Sequence, residues 1–90
     1  MIINKKVALK LAQKFNINLD VVNLEQWEYG LNVELEHNDI THHNKNITSK
    51  IVVAHLKEDP FYYYRLQKLE DDSKKYWKNK IKPDIFINNK

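Results

Sequence analysis

Only one glycine, Gly30, and two prolines, Pro60 and Pro83, punctuate this chain. Tight hairpins draw on glycine and proline. A sheet of short strands has too few such residues here, so the expected fold is all-α. Ninety residues make one small domain with a limited core. Without cysteine, neither a disulfide nor a thiolate metal site is available to staple it.

Apolar spacing supplies four helices, at about 5–15, 24–37, 48–58 and 60–80. Asn4 is a good N-cap for the first, whose stripe is Val7, Ala8, Leu11, Ala12 and Phe15. Asn16-Ile17-Asn18 breaks that pattern, and Ile17, Leu19, Val21 and Val22 form an apolar connector. Asn23 followed by Gln26 has the spacing of a capping box and opens the second helix. Leu24, Trp27, Leu31 and Leu35 line one face, with Gly30, Glu34 and His37 on the flank beside Trp27. Gly30 inside a helix costs up to about 1 kcal/mol relative to alanine, and a close approach by a backbone or large side chain would offset that. Asn38 is expected as a left-handed C-cap, before a polar loop that carries His42 and His43.

Ile51, Val52, His55 and Leu56 share the apolar side of the third helix, with Glu58 at its edge. Asp59-Pro60 then reads as N-cap and first residue of the fourth. Its expected buried face is Tyr62, Leu66, Leu69, Ser73, Tyr76 and Trp77, with Tyr63 and Glu70 on one shoulder. Pro83 ends it. Residues 1–82 are therefore one helical domain, and 83–90 are a short tail containing Ile85, Phe86 and Ile87.

The longest aliphatic run is Ile51 to Ala54, far below the roughly 20 residues that span a bilayer. No secretory signal is expected, because Met1-Ile2-Ile3 meets Asn4-Lys5-Lys6 at once. The reading is neither secreted nor transmembrane. Net charge is +3, and between Ser73 and Lys90 six lysines face one acid, Asp84. The 14 lysines, 11 asparagines and 9 isoleucines all have A- and T-rich codons. That bias weakens the lysines as a sign of nucleic-acid binding. Lys74, Lys75, Lys78, Lys80 and Lys82 with Tyr76 and Trp77 make a basic aromatic segment that admits such contact. A solvated helix end over a buried aromatic pair is the preferred account.

The paired chemistry of the chain lies at Glu34 with His37, and at His55 with Glu58. Residues three apart share one side of a helix. Glu-x-x-His is half the ligand set of helical di-iron proteins, and the donors suit zinc, iron or manganese. A divalent metal held by Glu34, His37, His55 and Glu58 is thus the sharp reading. Register opposes it: with antiparallel helices His55 stands level with Gly30, leaving the groups offset by one turn, about 5 Å. The preferred reading is structural, with no cofactor. His37 then interacts with a helix C-terminus, and His55 is a packed histidine bonded to Glu34 or a tyrosine hydroxyl. No phosphate loop is present. A set of Ser49, His55 and Asp59 lies along one helix and its end, so a covered cleft is hard to form, and the reading leans against an enzyme.

The segments GLNVELEH and KIVVAHLKEDPFYYYRLQKLE resemble a small domain family of bacteriophages, large DNA viruses and some bacteria. The family pattern has a glycine, VELEH, a variable loop, a helix carrying AHL or DHL, an acidic-Pro turn and paired tyrosines. Its positions here are Gly30, Glu34, Glu36, His37, His55, Leu56, Glu58, Pro60, Tyr63 and Leu66. The chain departs from it at Asn38, where glycine is usual, and at Val52-Val53. The resemblance implies a helical fold and association with viral genomes, and supplies no activity. The expected function is a non-catalytic binding or assembly module, in the virion or the host-cell cytoplasm. It would engage a protein partner or a second copy, through exposed apolar residues such as Phe61, Tyr64 and Phe86.

Overall fold

The computed structural model describes residues 2–36 and 44–87. It contains helices α1 (Lys5–Lys14), α2 (Leu24–Leu35), α3 (Lys45–Glu58) and α4 (Tyr62–Trp77). Among the described residues there is no strand. The domain is all-α. His37, the Asn38 cap and the loop histidines His42 and His43 lie outside the described residues.

Asparagine starts three of the four helices. The side chains of Asn4, Asn23 and Asn44 accept from the N–H groups of Val7, Gln26, and both Asn46 and Ile47. Each satisfies donors that the first helical turn leaves free. A fourth asparagine stops α1. Asn16 is left-handed at φ 57°, and the Ile17 N–H reaches back to the Ala12 carbonyl at 2.9 Å. Asn16 N–H to the Gln13 carbonyl completes a Schellman motif.

Two expected boundaries shift. The third helix begins at Lys45 and not near Thr48, because Asn44 caps it a turn earlier. Thr48 and Ser49 are then interior residues. Both are fully buried, and their hydroxyls donate to the carbonyls of Asn44 and Lys45. The fourth helix begins at Tyr62, and Pro60 sits in a turn before it. Asp59 does not cap a helix that starts at Pro60. It is the C-cap of α3, its carboxylate accepts from Phe61 N–H at 2.9 Å, and its carbonyl accepts from Tyr62 N–H. That Phe61 N–H, helped by the Arg65 guanidinium 2.6 Å away, holds the Asp59 carboxyl below its ordinary value against some desolvation.

α2 is the centre and packs against all three other helices. Its apolar row of Trp27, Leu31 and Leu35 meets Ala8, Leu11 and Ala12 of α1 and Val52 and Leu56 of α3 in one core. The Trp27 indole N–H donates to the Ala8 carbonyl at 2.9 Å, so the largest core residue leaves no polar group unpaired. Asn32 pins the N-terminus: it accepts from Ile3 N–H at 2.7 Å and donates to the Ile3 carbonyl at 2.9 Å.

α4 departs most from the sequence expectation. Tyr63, assigned to a shoulder, is its buried residue. Tyr62, Leu66 and Trp77 are half-buried, whereas Leu69, Ser73 and Tyr76 are exposed. The physical reason is register. Tyr63 faces α2, and so does Glu70, whose carboxylate accepts from Tyr29 in the middle of α2, so the neighbouring Leu69 lies off the covered face. The molecule is 49 Å long and 27 × 24 Å across.

Candidate functional site

Gln26, Gly30 and Glu34 recur every fourth residue, so they form a second buried row along α2, beside the Trp27 row. Tyr63 lies along this row. Its backbone N–H donates to Gln26 Oε1 at 3.1 Å, its ring covers Gly30, and its hydroxyl donates to Glu34 Oε2 at 2.8 Å. Gln26 also donates from Nε2 to the Pro60 carbonyl at 3.0 Å. Its side chain therefore does not close a capping box. Instead it anchors the turn into α4 and supplies a remote cap for a helix whose N-cap, Phe61, makes no side-chain hydrogen bond.

A Cβ built on Gly30 would stand 2.9 Å from both Cδ2 and Cε2 of Tyr63. This is the close approach by a large side chain that a mid-helix glycine calls for. The ring is held at both ends, so it cannot swing aside cheaply.

His55 on α3 completes the cluster. Its Nε2 lies 3.6 Å from Glu34 Oε2, long for a hydrogen bond and close enough for an ion pair when the imidazole is protonated. Its ring stacks on Tyr62 at 4.4 Å between centroids with 7° between planes. Its edge faces Tyr63, 6.1 Å away. Among the described residues no buried side-chain nitrogen or oxygen lacks a partner.

Glu34 and His55 are thus brought together, and Glu58 is not brought to them. Glu58 is exposed at the end of α3, beside a depression that includes Phe15 and Val53. His37 lies outside the described residues, and among those described no three His, Asp or Glu side chains converge as metal ligands. The Glu34–His55 separation is nevertheless one that two ligands of a single ion span, given bonds near 2 Å. Of the other signature positions, Leu56 is in the core, Leu66 half-buried, and Pro60 and Glu36 exposed. Lys74, Lys75, Lys78, Lys80 and Lys82 are all exposed. Lys80 Nζ stands 3.4 Å from the Tyr76 ring centroid, so this aromatic face is covered by a cation of its own chain.

Sequence reasoning missed Gln26 as a cluster member and named Tyr63 only as a signature position, on a shoulder of its helix. The signal was the four-residue spacing from Gln26 through Gly30 to Glu34, which continues the row one turn towards the N-terminus. Tyr29 was also missed. Its hydroxyl donates to Glu70 Oε1 at 2.8 Å, and burial, with that carboxylate next, pushes its phenol up to about 12.

A family model described as "Protein of unknown function (DUF5661)" matches residues 8–72. The chain belongs to this family. The match contains the whole Tyr63 row and His55, and it stops before the lysine-rich end of α4. No curated protein and no solved structure matches the chain. The DUF5661 region is therefore the part that carries the buried cluster, and the tail lies beyond it.

Two consequences can be measured. Gly30→Ala gains about 1 kcal/mol of helix propensity and forces the pinned Tyr63 ring, an overpacking cost of about 1–3 kcal/mol. The expected net effect in urea unfolding is destabilisation, which reverses sign in a Tyr63→Leu background. The second consequence is alkaline. Burial first, then the Glu34 carboxylate, pushes the Tyr63 phenol well above its ordinary 10.0. The folded state keeps this proton where the unfolded chain loses it. Its stabilising contribution is complete below about pH 10 and declines above it, by up to about 1.4 kcal/mol per pH unit. Melting curves from pH 9 upward should show this decline, and Tyr63→Phe should show less of it.

Proposed function

We propose that this DUF5661 domain is a non-catalytic helical binding or assembly module of viral or phage type, acting in the virion or the infected cell. One contrast carries the reading. The buried carboxylate of the described residues is engaged inside the fold by Tyr63 and His55, while large apolar side chains on α4 and the tail stand in solvent. Leu69 is 64% exposed, Ile81 97% and Phe86 76%. Side chains of this size in the open suit association better than catalysis. The resemblance to a virus-associated family and the A- and T-rich residue usage support the viral setting.

Affinity capture from infected-cell lysate tests it. Wild type should retain a defined protein, and a Leu69→Ser, Ile85→Ser, Phe86→Ser variant should retain about tenfold less. A chain that captures nothing above control and sediments as a monomer overturns the reading.

The Glu34–His55 pair favours one second reading, a divalent-metal site of ferritin-like type to which His37 would contribute, with Glu58 standing apart from it. For this reading, protein purified without a chelating tag should contain zinc, iron or manganese. A hundredfold excess of metal over its dissociation constant should add about 2.7 kcal/mol of stability. Metal-free protein with an unmoved melting temperature removes it.

A further inference from the structure

We propose that a groove between α2 and α4 receives the C-terminal tail of a second copy of this chain. This rests on the binding-module reading and names its partner. The groove runs beside the second half of α2. It measures about 500 Å³, with Tyr29, Val33 and Glu36 on one wall and Glu70, Asp71 and Lys74 on the other. Tyr29 and Val33 are half-buried and give the site an apolar base. The acids outnumber the lysine, so the walls carry net negative charge.

The tail has the complementary chemistry. From residue 78 to 87 it carries Lys78, Lys80 and Lys82 against Asp84, so it is net positive. The same stretch exposes Ile81, Ile85, Phe86 and Ile87, each by three-quarters or more. These are apolar groups in need of cover, joined to cations, on the same molecule as an apolar-based groove edged with carboxylates.

The tail does not occupy its own groove. It leaves from the far end of α4, through a turn in which Lys80 N–H bonds the Trp77 carbonyl, and its apolar residues remain in solvent. To reach its own groove it would have to reverse direction at once over Lys78–Pro83. A second copy meets no such constraint. Reciprocal exchange, each tail in the other's groove, closes the assembly as a dimer.

Sedimentation of the full chain tests this through a charge swap. One variant carries Lys80→Glu and Lys82→Glu, the other Glu70→Lys and Asp71→Lys. All four positions are exposed, and circular dichroism verifies that helicity is kept. Wild type should dimerise, with a dissociation constant that rises about tenfold or more between about 50 and about 500 mM salt. Each variant alone should be monomeric, since its tail and groove then have the same sign. An equal mixture should regain the dimer, because each tail meets an opposite groove.

A wild type that stays monomeric at low salt overturns the proposal. So does a variant that dimerises alone, or a mixture that does not recover. Should a variant fail to fold, the salt dependence of the wild type still decides. A monomeric wild type that captures a different protein from infected-cell lysate defeats only the self-docking inference and leaves the module reading standing.

Discussion

The seating of Tyr63 on the Gln26–Gly30–Glu34 row is the contact on which the rest of the arrangement depends. One residue is fixed at three points along two turns of α2: its backbone amide at Gln26, its ring on Gly30, its hydroxyl at Glu34. The row works only because its middle member lacks a Cβ. With both ends of the tyrosine hydrogen-bonded, α4 can hold its position on α2 with one fully buried residue. The turn at Asp59–Phe61 is set by the same row, through Gln26 to the Pro60 carbonyl.

The seating also governs what the cluster can do. A buried carboxylate is costly unless its oxygens find donors. Here Tyr63 supplies one, and the His55 imidazole stands beside the same oxygen. Stacking on Tyr62 fixes the His55 plane. The chemistry that first suggested a metal-binding pair is consistent with a satisfied polar core in which α2, α3 and α4 each contribute a group. The half-buried imidazole keeps one face of that core within reach of solvent.

Anchoring α4 near its N-terminus leaves its other end free of the bundle. Past Leu66 the helix continues with little to cover it, which makes the groove beside Tyr29 and exposes the aromatic and aliphatic residues that follow.

Much of the fold was legible in the residues. Helix number and order followed from apolar spacing, and the asparagine caps at Asn4 and Asn23 were marked by residue type. Gly30 announced a close approach. The register of α4 was not legible: a wheel counts Leu69 and Tyr76 as buried, and only the seating of Tyr63 on α2 shows which face is covered and leaves both exposed. Gln26 was read locally, as half of a capping box, because a glutamine's distant partners leave no trace in neighbouring residues. His55 was expected to bond Glu34 or a tyrosine hydroxyl; it stands 3.6 Å from Glu34 Oε2, and its stacking partner Tyr62 was not foreseen. The sequence by itself determined an all-α chain, the capped starts of its first two helices and the need for a close approach over Gly30. Tertiary structure alone decided that the group is Tyr63, that Glu34 meets His55 while Glu58 faces solvent, and that the end of α4 stands clear. The reason is that periodicity states which side of a helix is apolar, whereas the length and placement of neighbours decide how much of that side is covered.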